Sequence, residues 1–116
     1  MPNIGASSST STVRRLARFR AVDDQAAKQV TDAIRTVADG IAAEPGHATY
    51  DVFAVDGDRT VLYVLETWVS AADADRHARR VVDDGSVDRV LPLLGERLET
   101  MTLTTVASKH VEGAAA

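Results

Sequence analysis

Glu66, Trp68 and His77 are the residues of this sequence whose side chains and spacing best fit acid–base chemistry. Glu66 and Trp68 are two residues apart, so an extended strand places both on one face. A helix that follows this strand can bring His77 over that face. Because unperturbed histidine has a pKa of about 6.5, its imidazole exchanges protons at cellular pH. We predict that His77 is the base, that Trp68 is a stacking wall of the pocket and that Glu66 is the carboxylate that orients the imidazole.

Each of these residues also has a purely structural explanation. His77 then packs in the core beneath its helix with a hydrogen bond to the backbone, and Trp68 is a core residue at the end of a strand. Glu66 then ties the helix to the sheet. Because a buried carboxylate is costly unless it is paired, Glu66 needs a partner under either hypothesis.

Three further side chains are predicted to contact a substrate: Tyr50, Phe53 and Arg18. Tyr50 and Phe53 point to opposite faces of one strand, so at most one of them lines a given pocket. Arg18 can meet an anionic substrate, although a solvated strand arginine is the simpler explanation. Tyr63 lies on the strand face away from Trp68, which favours a position in a subunit interface.

The composition argues against several kinds of site and partner. The sequence has no cysteine, which excludes disulfides, thiolate metal sites and cysteine nucleophiles. The histidines His47, His77 and His110 lie on different predicted elements, which is unfavourable for a metal site. The net charge of −4 argues against a nucleic-acid partner, and no apolar run reaches the roughly 20 residues of a membrane helix. We therefore predict a cytoplasmic protein with no cofactor, no metal and no nucleic-acid or membrane partner.

Apolar periodicity and turn residues predict four strands and three helices. The first helix begins after Asp23 and must end before Pro45, because a residue that precedes proline is disfavoured in the α region. Asp56-Gly57-Asp58 predicts a hairpin turn, and Ser70 predicts the start of the second helix. The predicted strands cover residues 13–21, 47–55, 59–68 and 98–106, and the later helices cover residues 70–83 and 86–94.

This order predicts an α+β domain of ferredoxin-like βαββαβ topology, with helices on one face of a four-stranded antiparallel sheet. We place the domain at residues 13–108, between a disordered tail at 1–12 and a flexible tail at 109–116. Both faces of the third strand are largely apolar, and no remaining segment can cover the second face. Because exposed apolar surfaces of that size usually mark an interface, we predict a homodimer.

The stretch from Pro45-Gly46 through Glu66-x-Trp68 to His77 resembles the antibiotic biosynthesis monooxygenase family. Its members share Pro-Gly before the second strand, Glu-x-Trp at the end of the third and a histidine on the next helix. The resemblance covers roughly residues 13–106. It implies a dimeric α+β barrel with a pocket between sheet and helices in each subunit. It also implies oxidation of a small aromatic quinol, an anthrone or a related polyketide-like phenol by molecular oxygen without a cofactor.

The sequence departs from the family pattern on the first strand. Haem-degrading members of the superfamily use an asparagine there, and some anthrone oxygenases use one as well. Ala17 occupies roughly this position, and the sequence's only asparagine is Asn3. This departure argues against haem degradation, and it leaves a non-catalytic dimeric binding module as the alternative to a monooxygenase. An isomerase on the same scaffold also remains open, since fold does not fix function.

Overall fold

The computed structural model describes residues 12–109, and almost all of both predicted tails lies outside them. The elements, in chain order, are strand β1 (Val13–Arg20), helix α1 (Asp24–Ile41), strand β2 (His47–Val55), strand β3 (Asp58–Trp68), helix α2 (Ala71–Asp83), helix α3 (Ser86–Val90), a 3-10 turn (Leu91–Leu93) and strand β4 (Glu99–Leu103). This order confirms the predicted α+β, ferredoxin-like fold. No helix in the described part of the chain is long and apolar enough to cross a membrane.

Side chains at the helix starts explain where the two long helices begin. The Asp23 carboxylate accepts a hydrogen bond from the Ala26 backbone amide at 2.8 Å, which satisfies one of the unpaired amides of the first turn of α1. At the start of α2, the Ser70 hydroxyl accepts from the backbone amide of Asp73 at 3.2 Å. Both helices have an apolar face, and α1 buries Val30 and Ile34 against the sheet.

The strands form one antiparallel sheet in the order β2-β3-β1-β4, with β3 and β1 in the centre. Glu66 on β3 is the Cα partner of Arg15 on β1 and of Tyr50 on β2. Residues opposite one another in a sheet share a face, so these three side chains lie side by side. The helices pack on the same face, where Val64 and Trp68 are buried.

The opposite face of the sheet, which we call the open face, has a different character. It carries Arg18 on β1 and Tyr63 on β3, which are Cα partners. Its apolar side chains include three that are strongly exposed in the single chain: Phe53 (50%), Met101 (46%) and Leu103 (39%). The alternation of β3 between two apolar faces is therefore as predicted, and only one of those faces is covered by helices.

Two elements near the end of the chain are shorter than predicted. The helix expected at residues 86–94 ends at Val90 and continues as a 3-10 turn, because Pro92 has no amide to donate to a further α-helical hydrogen bond. Strand β4 ends at Leu103, whose Cα partner is Arg14. The partner strand β1 itself begins at Val13, so β4 has almost no further backbone to pair with.

The turn between α1 and β2 packs tightly against the start of α2. Gly46 has a φ of +78°, and a Cβ atom at this position would overlap the carboxyl group of Asp73. The Gly46 carbonyl also accepts a hydrogen bond from the Val69 amide at 2.8 Å. Glycine is therefore required here both by its backbone conformation and by close approach, and it fixes the position of the turn relative to α2.

We expect Gly46→Ala to destabilise the protein more than Gly57→Ala. Gly57 also has a positive φ, +89°, but no atom lies within 4 Å of a Cβ built there. Both substitutions carry the left-handed backbone penalty of about 1–2 kcal/mol, and only Gly46→Ala must also displace Asp73. The free energy of unfolding in urea measures the difference. Equal losses would show that Asp73 moves aside without cost.

Candidate functional site

A cavity of about 430 Å³ lies between the helix-covered face of the sheet and the helices. This volume falls within the range of about 300–1,000 Å³ that is usual for small-molecule pockets. Most of its wall is apolar and comes from strands and both long helices, including Ala17, Phe19, Ile34, Val64, Ala78 and Val81. Such a wall fits a flat hydrophobic ligand.

Polar groups enter this apolar wall from adjacent positions. Tyr50, Glu66 and His77 all line the cavity, as does Arg15. The Tyr50 and His77 rings meet edge to face with centroids 6.1 Å apart. The structure thus brings together two of the predicted catalytic residues, His77 and Glu66, with one predicted substrate-binding residue, Tyr50.

His77 is held by a carboxylate that was not predicted. Its side chain is only 5% exposed, and its Nδ1 lies 2.9 Å from Oε1 and 3.1 Å from Oε2 of Glu44. Glu44 is in the turn between α1 and β2, and its side chain is 7% exposed. An ionised carboxylate can only accept hydrogen bonds, so Nδ1–H of His77 donates to Glu44. Nε2 is then the ring nitrogen that remains for proton transfer in the cavity.

Glu66 has a different partner from the one we predicted. Its Oε1 accepts a hydrogen bond from Trp68 Nε1–H at 2.8 Å, while its Oε2 lies 3.7 Å from His77 Nε2. The second distance is too long for a hydrogen bond but short enough for electrostatic attraction once Nε2 of His77 carries a proton. Glu44 therefore makes the orienting contact that was assigned to Glu66, and Glu66 ties Trp68 in place.

Trp68 lies behind His77 and is not part of the cavity wall. It is fully buried, and its ring stacks on the imidazole with centroids 4.9 Å apart and planes inclined by 30°. The predicted pocket wall is thus a supporting layer that fixes the plane of the His77 ring. Stacking and the hydrogen bond to Glu66 together leave Trp68 little freedom to rotate.

Tyr50 remains a neutral phenol at physiological pH. Burial raises its pKa well above the usual value of 10, and the negative charges of Glu66 and Glu44 raise it further. A hydroxyl that keeps its proton is a hydrogen-bond donor. Tyr50 can therefore stabilise negative charge that develops on a substrate oxygen.

Arg18 and Phe53 do not reach this cavity. Both lie on the open face, where Arg18 Nη1 is 2.8 Å from Glu96 Oε1 and Phe53 is half exposed. The expectation that only one of Tyr50 and Phe53 lines the pocket agrees with the structure, and Tyr50 is that residue. The arginine at the cavity is Arg15, which is two residues from Ala17 on β1 and therefore lies on the same face of the sheet.

The arrangement provides a base, a neutral hydrogen-bond donor and a hydrophobic slot. Nε2 of His77 can accept a proton, and the hydroxyl of Tyr50 can donate a hydrogen bond. Within residues 12–109, no group of three or more histidine, cysteine or carboxylate side chains is placed to hold a metal ion. The site suits removal of a proton from a flat, largely apolar molecule.

We expect Glu44→Ala to change the tautomer of His77. Without the carboxylate, Nδ1–H loses its acceptor, so neutral His77 shifts towards the Nε2–H form and stability falls by about 1–3 kcal/mol. Imidazole ¹⁵N chemical shifts, measured above the titration range of the histidine, distinguish the two tautomers. Glu66→Gln is the control and should retain Nδ1–H, since Glu66 does not hydrogen-bond that ring. An unchanged tautomer in Glu44→Ala would contradict the assigned contact.

Comparison with known proteins gives both fold and family. The chain resembles the solved structures of Rv0793 from Mycobacterium tuberculosis (21% identity, 86% of this chain and 100% of that one, TM-score 0.74) and a conserved protein from Methanosarcina mazei (17%, 82% and 93%, 0.73). It also resembles SnoaB, a cofactor-independent oxygenase from Streptomyces nogalater (13% identity, 84% of this chain and 96% of that one, TM-score 0.73). At these identities the likeness shows the fold alone.

No curated protein matches the sequence. Residues 12–81, more than half of the chain, match the family model for antibiotic biosynthesis monooxygenase, and the chain belongs to that family.

Proposed function

We propose that this protein is a cofactor-independent monooxygenase that oxidises a small aromatic quinol or an anthrone-like polyketide with molecular oxygen. The observation that carries the proposal is the buried imidazole of His77, which Glu44 holds by Nδ1 at the wall of an apolar cavity. The fold likeness to SnoaB, a cofactor-independent oxygenase, is consistent with this chemistry.

In the proposed reaction, Nε2 of His77 removes a proton from the activated CH₂ group of an anthrone. The resulting anion is electron-rich and transfers one electron to oxygen, and the radical pair combines to a peroxide. The second C–H bond and the O–O bond of the peroxide then break, which leaves a carbonyl group and hydroxide, so that R₂CH₂ and O₂ become R₂C=O and H₂O once the hydroxide is protonated. The proton held by His77 returns to the departing hydroxide.

The remaining groups of the site have clear roles in the proposed reaction. The hydroxyl of Tyr50 donates a hydrogen bond to the substrate oxygen on which negative charge develops. The imidazolium formed in the first step lies between the carboxylates of Glu44 and Glu66. The apolar walls fix the plane of the substrate and keep bulk water from the anion.

One observation favours a second candidate, a non-catalytic binding module with the same pocket. Ala17 lines the cavity at roughly the first-strand position where haem-degrading proteins of the superfamily and some anthrone oxygenases have an asparagine. An alanine there provides no side-chain amide to bind the substrate or oxygen. The pocket would then bind its aromatic ligand without turnover, and oxygen consumption separates the two functions.

We expect saturable oxygen uptake with dithranol or a substituted hydroquinone, after subtraction of spontaneous oxidation. His77→Ala should lower kcat by about 10²–10⁴-fold, since general-base catalysis contributes a factor of this size. Arg18→Met, which alters the open face, is the control and should retain activity. Uptake at the background rate across anthrones and hydroquinones would exclude the monooxygenase and favour the binding module.

We also propose that the protein is a homodimer formed through the open face. The exposed side chains of Phe53, Met101 and Leu103 lie on this face, together with the half-buried Tyr63. Burying them against a second copy removes apolar surface from water in two equivalent patches. A cytoplasmic location remains a prediction from the sequence.

Light scattering on the purified protein at micromolar concentration should give twice the 12.4 kDa mass of the chain. Phe53→Lys places a charge in the proposed interface and should shift the protein towards monomer. Val69→Lys is the control, since Val69 is as exposed as Phe53 (57% against 50%) but lies in the turn before α2. A monomeric mass for the wild type would overturn the dimer.

A further inference from the structure

Arg15 is the single lysine or arginine among the described residues that line the cavity. It lies on β1 on the helix-covered face, as the Cα partner of Glu66 on β3 and of Thr102 on β4. Its neighbours Arg14 and Leu16 point to the other face of the strand. The chain has thus placed one permanent positive charge in a wall that is otherwise mostly apolar.

The contacts of Arg15 hold its side chain in a partly buried position. Nη2 lies 2.8 Å from Oδ1 of Asp75 on α2, and Nε–H donates to Thr102 Oγ1 at 3.3 Å. The side chain of Arg15 is 25% exposed, and that of Asp75 is 52% exposed. Arg15 is therefore a cavity residue whose ionic partner stands in solvent. Because exposed ion pairs contribute little to stability, another carboxylate can replace Asp75 at small cost.

We propose that Arg15 recognises a carboxylate on the substrate and that this carboxylate replaces Asp75 as the ionic partner of the guanidinium. The planar fork of a guanidinium matches the two oxygens of a carboxylate, which favours this anion as the ligand group. The inference rests on the proposed function, and it narrows the substrate class to an aromatic phenol or anthrone that carries a carboxylate.

The charges of the cavity also set the orientation of such a substrate. Glu66 lies near Nε2 of His77, and Glu44 lies behind the ring, so the His77 side of the cavity repels a carboxylate as long as the imidazole is neutral. The carboxylate is attracted to Arg15 instead. The neutral phenol or CH₂ group is then directed to His77 and Tyr50, where the proton is removed. Arg15 thereby acts as a specificity-determining residue that selects the end of the substrate presented to the base.

A matched pair of ligands tests this role without any oxygen chemistry. 2-Naphthol and 6-hydroxy-2-naphthoate share a flat phenol, and only the second carries a carboxylate at the far end. We expect isothermal titration calorimetry to show tighter binding of 6-hydroxy-2-naphthoate to the wild type. Arg15→Met should weaken its binding by about tenfold or more and leave 2-naphthol unchanged, since the apolar stem of the side chain is kept. Asp75→Asn should strengthen binding of the carboxylate, because it removes the competing charge.

Arg18→Met is a closely matched control. Arg18 is on the same strand, forms an ion pair of the same length, 2.8 Å, and is 24% exposed, but it lies on the open face. Arg18→Met should leave the affinity for both ligands unchanged. Equal effects of Arg15→Met on both ligands, or no effect, would overturn the role of Arg15 and leave the aromatic pocket intact. Binding of 2-naphthol without tighter binding of 6-hydroxy-2-naphthoate would overturn this inference alone, whereas failure of both ligands to bind the wild type would overturn this inference and count against the proposed aromatic pocket as well.

Discussion

The buried contact between Glu44 and His77 is the interaction on which the site depends. Both side chains are more than nine-tenths buried, and each would be costly to bury without the other. Their pairing joins the turn after α1 to the middle of α2, two segments 33 residues apart in the chain. The tight approach of Gly46 to Asp73 holds these same segments together a short distance away. The backbone geometry of one turn thus determines which nitrogen of the histidine is available for chemistry.

Around this contact the side chains form an almost closed circuit. Glu44 accepts from Nδ1 of His77, the imidazole stacks on Trp68, and Nε1–H of Trp68 donates to Glu66. The circuit is open at one place, the 3.7 Å gap between Glu66 Oε2 and His77 Nε2. Every other member is fixed by a hydrogen bond or by stacking. In the proposed reaction, the proton that Nε2 of His77 accepts therefore enters a set of groups that do not need to reorganise.

Much of this fold follows from the sequence because strand and helix periodicity are local properties. The alternation of β3 assigned Glu66 and Trp68 to the helix-covered face, and the alternation of β2 separated Tyr50 from Phe53. The alternation of β1 could likewise have assigned Arg15 to the helix-covered face, since Arg15 is two residues from Ala17. Glu44 could not have been found in this way, because it lies in a turn without periodicity, where a carboxylate between Ala43 and Pro45 resembles an ordinary solvated residue. Its burial depends on α2, which follows much later in the chain.

The layering of the aromatic residues bears on where the electrons come from in the proposed reaction. Trp68 is the most easily oxidised side chain near the site, yet it is fully buried and His77 lies between it and the cavity. Tyr50 does face the cavity, but its raised pKa keeps it from forming the readily oxidised phenolate. A substrate anion in the cavity would meet oxygen directly, whereas His77 separates Trp68 from the cavity and Tyr50 keeps its proton. In the proposed reaction, the protein's contribution is then to create that anion next to a histidine and to hold it in an apolar slot, so that the substrate itself reduces oxygen.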